Sequence, residues 1–276
     1  MKKIALFAIF SAFMHAAVAE PANKIVSLGG SVTEIVYDLG MGDKLIANDI
    51  SSLYPEEATK LPRVGYYRAI SVEGVASMKP DLILASENAG PKKALDNLEQ
   101  LGIDITRVSD QPNIDSLYER VGQVAQALSV EEKGRELVEK IRQQVSQAQA
   151  IKGKNLKTVL VVNRTGNIQA AGRDTAASAL IKLAGLNNIL EESQKGYKPV
   201  SAEALLNLGP ELIIVTEGSL QASGGMEKFI SHPAIAATPA AMKNQIVVMD
   251  DLLALGLGPR IGQAIEQLKS ASNAAH

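Results

Sequence analysis

The 276-residue sequence contains no cysteine. Disulfide bridges, thiolate catalysis and iron–sulfur ligation are therefore excluded, because each of them needs a cysteine sulfur. A lipid anchor on an N-terminal cysteine is excluded for the same reason. The chemistry of this chain must depend on its other side chains.

Aromatic residues and basic runs are also scarce. The chain has no tryptophan, four phenylalanines and six tyrosines, so each tyrosine needs an explanation. The absence of a long lysine or arginine run argues against a nucleic-acid partner. With 46% hydrophobic residues the chain can nevertheless bury two ordinary cores.

Long apolar runs are absent except for a short one at the N-terminus. Lys2 and Lys3 precede an apolar stretch at 4–14, and Ala-Val-Ala at 17–19 is a small-residue cleavage site. Together they predict a cleaved signal peptide over residues 1–19, because that stretch is too short to span a bilayer. The mature chain is expected in the periplasm. Its net charge is more negative than the −2 of the whole sequence, since the leader holds two lysines and no acid.

The sequence of residues 71–84 resembles that of residues 201–214, and the two segments align without a gap. Each copy predicts a helix capped by a serine, Ser71 or Ser201, then a turn with a proline and a buried strand. The separation is too long for a solenoid, whose repeats take roughly 20–50 residues. The repeat therefore predicts two similar lobes with a ligand cleft between them.

Alternating strand and helix patterns predict an α/β fold with a mainly parallel sheet. We place the N-terminal lobe at 20–128, a connecting helix at 129–153 and the C-terminal lobe at 154–276. Ser31 is expected to cap the first helix, and Ser129 begins a capping-box pattern for the connecting one. Strands are expected at 24–28, 45–47, 82–85, 103–108, 158–162, 212–215 and 246–249.

The helix predicted over 131–152 has a narrow apolar stripe in an otherwise polar segment. At 1.5 Å per residue it would span about 30 Å, the diameter of a small domain. Such a helix between two lobes is typical of a connecting strut. The stripe consists of Leu137, Ile141, Val145 and Ala148.

Tyr66 and Tyr67 are adjacent and are followed by Arg68, shortly before the helix predicted at Ser71. A phenolate oxygen is a hard donor suited to ferric iron, and tyrosine is a known haem ligand. Because the pKa of a free tyrosine is about 10, ionisation near neutral pH needs a cation, and a ferric ion would supply most of that charge with Arg68 adding to it. On the residues alone, two tyrosines that merely line a lobe edge remain the alternative.

Four segments carry a resemblance that covers essentially the whole mature chain. In them the sequence resembles class III periplasmic binding proteins of ABC importers, which carry haem, siderophores and cobalamin, and especially the haem-binding members. The resemblance implies two Rossmann-like lobes joined by one long helix, with limited hinge motion and the ligand in the cleft between the lobes. The segments are Val64-Gly65-Tyr66-Tyr67-Arg68-Ala69-Ile70-Ser71, Ala171-Gly172-Arg173-Asp174-Thr175-Ala176, Val248-Met249-Asp250-Asp251 and Gly258-Pro259-Arg260.

The resemblance implies haem as the transported ligand and no nucleotide cofactor. In the family pattern Gly-Tyr-x-Arg the tyrosine is the axial ligand of the haem iron, and here it falls on Tyr66. Tyr67 occupies a position where that family often has an aliphatic residue or methionine, and it remains the alternative ligand. Arg68 is expected either beside the ligand or on a haem propionate.

Four further residues are candidates for haem contact. Extended backwards, the internal repeat pairs Tyr197 with Tyr66, which predicts that Tyr197 reaches the porphyrin from the second lobe. Arg164, Arg173 and Arg260 are candidate cations for the propionates. For Arg173 and Arg260, a pair with surface acids is the alternative.

Histidines are too few to suggest a second iron ligand. His15 lies in the leader, His276 ends the chain, and His232 precedes a proline where we expect a helix boundary. Some relatives carry a histidine in the loop that corresponds to residues 163–167, and this chain has none there. The sequence therefore favours a single tyrosine ligand.

Glu73 and Glu203 occupy equivalent positions in the two copies of the repeat. A carboxylate in the first turn of a helix gains roughly 0.3–1 kcal/mol from the helix dipole, which is a sufficient structural explanation. The resemblance adds a function, because glutamates at this place on each lobe of family members dock onto arginines of the permease. It implies a monomer that serves an inner-membrane permease dimer, downstream of an outer-membrane haem receptor.

Two other ligands and one other protein class compete with haem binding. Ferric siderophore sites need several arginines and aromatic residues, and cobalamin sites favour tryptophan, which this chain lacks. A secreted nucleotide-dependent enzyme is the remote alternative. Against it, the glycines at 256–262 have the wrong spacing for a dinucleotide loop, and Pro259 removes an N–H that would face phosphate.

Overall fold

The computed structural model describes residues 22–163 and 167–275. The predicted leader (1–19), Arg164 and His276 lie outside these described residues. Within the described ranges, no helix combines the length and the apolar character needed to cross a membrane.

The first half of the chain folds around one parallel sheet. Its elements are β1 (Ile25–Leu28), α1 (Gly30–Asp38), a 3₁₀ turn (Gly42–Lys44), β2 (Leu45–Asn48), α2 (Glu56–Thr59), β3 (Gly65–Tyr66), β4 (Ala69–Ile70), α3 (Val72–Ala76), β5 (Leu82–Ser86), α4 (Lys92–Gln100), β6 (Asp104–Val108) and α5 (Ile114–Ala127). The sheet order is β2-β1-β5-β6, with all pairs parallel. Every residue of β1 and β5 is buried, as expected for a parallel sheet covered on both faces.

The second half folds around a mixed sheet. Its elements are α6 (Glu131–Ala150), β7 (Lys157–Asn163), β8 (Ile168–Ala171), α7 (Ala176–Leu183), β9 (Asn187–Asn188), β10 (Tyr197–Pro199), α8 (Ala202–Leu208), β11 (Leu212–Thr216), α9 (Glu217–Ala222), α10 (Met226–Ile230), α11 (Pro233–Ala236), α12 (Pro239–Met242), β12 (Ile246–Met249), α13 (Asp251–Leu255) and α14 (Ile261–Ala274). The order is β10-β8-β7-β11-β12, and β9 pairs with the start of β7. β7, β11 and β12 are parallel, whereas β8 and β10 add an antiparallel edge.

The predicted α/β fold with two lobes is confirmed, since each half of the described chain has its own sheet. The long helix predicted over 131–152 is observed as α6 and ends at Ala150. Its apolar stripe is buried, and it packs against α5 of the first lobe and α14 of the second. The lobe boundaries at 128 and 154 stay predictions.

Both copies of the internal repeat have the predicted local structure. The Ser71 hydroxyl accepts a hydrogen bond from the Gly74 N–H (3.2 Å), and the Ser201 hydroxyl accepts one from the Ala204 N–H (3.1 Å). The buried strands β5 and β11 follow. The repeat therefore places one short capped helix at equivalent points of the two sheets.

Two predicted helix caps are wrong. Ser31 lies inside α1, whose N-cap is Gly29 at φ 119°. The N–H groups of Gly29 and Gly30 are taken instead by the side chains of Asp49 and Ser51, each at 2.9 Å. These caps come from loop residues about twenty positions away, which a local motif does not include.

The capping box predicted at Ser129 is also absent. The N-cap of α6 is Val130, without a side-chain hydrogen bond. Ser129 follows the C-cap of α5 with a left-handed backbone at φ 56°, and its N–H donates to the Gln126 carbonyl (3.1 Å), so it belongs to the turn that ends α5.

Candidate functional site

A cavity of about 1130 Å³ lies between the two sheets and is lined by residues of both lobes. The residues from the first lobe follow the carboxyl ends of β1, β2, β5 and β6, and Asp251 of the second lobe follows β12. Open α/β sheets bind ligands at the carboxyl ends of their strands. The volume is above the roughly 300–1,000 Å³ of ordinary small-molecule pockets, so the cleft suits a large ligand.

The two adjacent tyrosines lie in a hairpin that reaches into this cleft. Tyr66 pairs with Ala69 across β3 and β4, which makes Tyr67 and Arg68 the two turn residues. The Tyr67 N–H donates to the Asp49 carboxylate (3.2 Å), and the Tyr67 carbonyl accepts from the Gly90 N–H (2.8 Å). The turn is thus held from both sides by the first lobe.

The two tyrosines have different surroundings. The Tyr67 hydroxyl accepts a hydrogen bond from Arg68 Nε (2.8 Å), and the guanidinium carbon lies 5.1 Å from the Tyr67 ring centroid. Burial raises the pKa of Tyr67 to about 12, although Arg68 opposes the shift. The half-buried Tyr66 meets the Tyr67 ring edge-on, with centroids 5.0 Å apart. Arg68 therefore pairs with the second tyrosine of the turn.

The second lobe contributes a polar segment across the cleft. Tyr197 lies on β10, is 37% exposed and lines the cavity, so each lobe places one tyrosine of the repeat pair at the cleft. Its contact with a porphyrin stays a prediction. Lys195 and Asp174 line the same wall and form an exposed ion pair of 3.2 Å between Nζ and Oδ2. Thr175 caps α7 there, since its hydroxyl accepts from the Ser178 N–H (3.0 Å).

Sequence reasoning missed the apolar part of the cleft. Ile50 and Leu53, exposed by 53% and 43%, line it from the first lobe. Leu252, Leu255 and Leu257 line it from the second lobe. No motif marks these five leucine and isoleucine residues, which come together only because the loop after β2 and the segment of α13 with its following loop, far apart in sequence, line one cavity. We call them the apolar wall.

Of the described lining residues, Arg68 and Lys195 are the cationic ones. Asp110 is neutralised by the fully buried Arg120, with 2.7 Å between its Oδ1 and Nη2. Lys195 was not predicted. The signal that could have found it is its place two residues before Tyr197, directly before the segment that the repeat aligns with the Tyr66 hairpin.

Two predicted cations, Arg173 and Arg260, are not among the residues that line the cleft. Arg173 is exposed and donates to the Glu192 carbonyl (3.3 Å). Arg260 borders a separate cavity of about 480 Å³, where Nε lies 2.9 Å from Glu34 and the guanidinium lies 3.7 Å from the Tyr54 ring centroid. The geometry adds no support for a haem contact by either arginine.

The remaining candidates lie on the surface. Glu73 and Glu203 are exposed in the first turns of α3 and α8, and neither forms an ion pair with a described residue. His232 is the N-cap of α11, and its Nδ1 accepts from the Ala234 N–H (3.2 Å). The predicted helix boundary at His232 is therefore confirmed.

Comparisons with known proteins place the chain among transport proteins. A family model described as periplasmic binding protein matches residues 25–253. The vitamin B12-binding protein of Yersinia pestis (strain Pestoides F) is 34% identical over 200 residues, which cover 72% of this chain and 71% of that protein.

Solved structures of related proteins have the same fold over almost the whole of this chain. The heme-binding protein RhuT from Roseiflexus sp. RS-1 in its apo form has a TM-score of 0.88 and 33% identity, covering 92% of this chain and all of that one. The heme-binding protein BhuT in complex with two hemes has a TM-score of 0.85 and 32% identity, covering 91% and 98%. By their descriptions, these relatives bind two kinds of ligand, vitamin B12 and heme.

Proposed function

The chain belongs to the periplasmic binding protein family, in its class III branch, and we propose that it captures haem and delivers it to an inner-membrane ABC permease dimer. The family and its structural neighbours are solute-binding transport proteins and not enzymes. The nucleotide-dependent enzyme considered from the sequence is therefore wrong. An outer-membrane haem receptor would supply the ligand.

The tyrosine hairpin carries the proposal for haem. Tyr66 supplies a phenol oxygen at the cleft, which as phenolate is a suitable axial ligand for ferric haem. The Tyr67 hydroxyl is already bonded to Arg68, and its pKa of about 12 disfavours the phenolate. These contacts support Tyr66 as the iron ligand and Tyr67 as a ring that packs beside it.

The rest of the cleft suits a flat macrocycle with two carboxylates. The apolar wall supplies contact area for the porphyrin faces, and Tyr197 adds a ring from the second lobe. Arg68 and Lys195 offer one cation from each lobe for the propionates. We assign the propionate contacts to these two residues in preference to Arg173 and Arg260.

Titration of the purified mature protein with hemin tests the proposal. We expect a shifted Soret band with the charge-transfer absorption of a ferric tyrosinate, and the end point gives the number of haems. Tyr66→Phe should abolish the tyrosinate band, whereas the matched Tyr67→Phe should keep it. Loss of the band in Tyr67→Phe alone would move the ligand to Tyr67, and an unshifted wild-type spectrum would refute haem binding.

Tyr197 is tested with the same assay. If its ring packs on the porphyrin, Tyr197→Ala weakens haem binding while Tyr197→Phe, which retains the ring, does not. Unchanged affinity in both variants would leave Tyr197 as a rim residue.

Cobalamin is the second candidate, favoured by the similarity to vitamin B12-binding proteins. Calorimetric titration with cyanocobalamin under the same conditions separates the two ligands. Cobalamin binding that survives Tyr66→Phe, together with no response to hemin, would replace haem by cobalamin. The absence of tryptophan leaves such a site with only tyrosine and phenylalanine for aromatic contacts.

A further inference from the structure

A buried carboxylate lies behind the first-lobe side of the cleft. Asp49 directly follows β2 and is 0% exposed. Its Oδ1 accepts hydrogen bonds from Gly29 N (2.9 Å) and Ser52 Oγ (3.2 Å). Its Oδ2 accepts from Ser51 N (3.0 Å), Ser51 Oγ (2.8 Å) and Tyr67 N (3.2 Å).

The donors belong to three segments that line the cleft. Gly29 precedes α1, whose first residue Gly30 lies at the cavity. Ser51 belongs to the loop that carries Ile50 and Leu53 of the apolar wall. Tyr67 is in the turn that follows Tyr66. One side chain therefore fixes the relative positions of these three segments.

The hydrogen bonds call for a carboxylate in particular. An ionised carboxylate has two oxygens that only accept, so it can bind all five of these donors. The amide of an asparagine would instead turn its NH₂ group towards some of them, donor against donor. Asp49 forms no ion pair with a described residue, and Arg63 Nη1 donates to its backbone carbonyl instead (2.7 Å). A buried acid without a cation needs such hydrogen bonds to offset its desolvation.

We propose that Asp49 is a positioning residue of the ligand site, holding the β3–β4 turn so that Tyr66 meets the bound haem iron at the correct place. This inference rests on the proposed haem binding. Ligand geometry must be held within about 0.5 Å for a site to function well, and residues behind the site supply that constraint. Asp49 acts through Tyr67 and does not line the cleft.

The turn has a second anchor that should keep it folded without Asp49. The Gly90 N–H donates to the Tyr67 carbonyl (2.8 Å), and the Ile70 N–H donates to the Gly90 carbonyl (2.9 Å). Loss of the Asp49 contact therefore frees one side of the turn only. We expect altered ligation in a folded protein.

Asp49→Asn tests this through the haem spectrum and the rate of haem transfer to an excess haem acceptor. The tyrosinate band should weaken, and haem release should be about tenfold faster, as for loss of one or two hydrogen bonds. Ser52→Ala is the matched control, because it removes one donor from Oδ1 and leaves the Tyr67 contact intact. Its spectrum and release rate should stay close to wild type.

A backbone substitution keeps the test decisive if Asp49→Asn does not fold. Incorporating the α-hydroxy analogue of tyrosine at position 67 replaces the Tyr67 N–H by an ester oxygen and leaves every side chain in place. A wild-type spectrum and release rate in this variant, or in folded Asp49→Asn, would overturn the inference.

Hydrogen exchange separates this inference from the haem proposal. In ligand-free protein the Tyr67 amide should exchange faster in Asp49→Asn than in wild type, while β5 stays protected. If wild type does not bind hemin, the haem proposal fails. Faster Tyr67 exchange would then still support the positioning of the turn, and unchanged exchange would refute it.

Discussion

Glu34 is a buried acid on α1, close to the cleft but outside its lining. Its side chain is 2% exposed and lies 2.9 Å from Arg260 Nε, which joins the first lobe to the second. Burial raises its pKa to about 7, and the Arg260 charge only partly opposes the shift. Asp38, on the same helix, also has its pKa raised by burial.

The raised pKa of Glu34 predicts a pH-dependent stability. Between about pH 4.5 and 7 the folded state binds more protons at Glu34 than the unfolded state does. The free energy of unfolding therefore falls as the pH rises through this range, by at most about 1.4 kcal/mol per pH unit for one group. Glu34→Gln should flatten this slope in urea unfolding measured from pH 4.5 to 8.

Glu139→Gln is the control, because Glu139 is exposed on α6. It should keep the wild-type slope. A smaller slope should remain in Glu34→Gln because Asp38 still titrates. An unchanged slope in Glu34→Gln would show that this acid does not titrate differently in the folded state.

Glycines set the packing of the long helix against its two neighbours. A Cβ on Gly134 of α6 would lie 2.5 Å from the Ala125 Cβ of α5. A Cβ on Gly262 of α14 would lie 2.8 Å from the Gln144 Cβ of α6. Both distances are shorter than a carbon–carbon contact, so an added methyl group must push the helices apart.

Gly134→Ala and Gly262→Ala should each lower the free energy of unfolding by about 1–3 kcal/mol. Gly122→Ala in α5 is the matched control, since its Cβ would meet nothing within 4 Å. It should raise stability by about 0.5–1 kcal/mol, because alanine is the better helix residue. Stabilisation by Gly134→Ala and Gly262→Ala as well would mean that the helices move apart without strain.

The elements that the sequence predicted well are those set by local pattern. The stripe from Leu137 to Ala148 predicted α6, and the serine caps predicted α3 and α8. Ser31 failed as a cap because Asp49 and Ser51, distant in sequence, replaced it.

The residues of the site divide in the same way into those that a sequence pattern marks and those that only the fold brings together. The family motif pointed to Tyr66 and the internal repeat to Tyr197, and both line the cleft, where their contacts with haem stay predictions. The apolar wall and Asp49 have no motif, because the fold alone gathers Ile50, Leu53 and the leucines near 255. Lys195 was missed because its importance depends on facing the cleft, which a sequence does not show.

At the scale of the whole molecule, the cleft and the two repeat glutamates lie in different places. Neither Glu73 nor Glu203 is among the cleft residues, and both are exposed, one on each lobe. Each lobe presents the same serine-capped helix with a glutamate in its first turn, and we propose that a permease dimer docks on both. Their proposed role is docking, which is separate from ligand capture.

The double variant Glu73→Ala/Glu203→Ala should therefore keep the wild-type haem spectrum and affinity but lose haem uptake in cells that depend on haem iron. Each single variant should lose part of the uptake, because one lobe can still dock. The substitutions should weaken binding to the permease more at low salt than at high salt, because exposed charges interact most strongly at low salt.

Glu57→Ala/Glu227→Ala is the matched control for this pair. Glu57 on α2 and Glu227 on α10 are also exposed, lie in the first turns of short helices and belong to different lobes. The control has the same change in net charge and in helix-dipole interaction, so general loss of charge would impair uptake equally in both double variants. Loss of haem uptake in Glu73→Ala/Glu203→Ala but not in the control would assign docking to the repeated helices. Loss of haem binding in Glu73→Ala/Glu203→Ala would instead place these glutamates at the ligand.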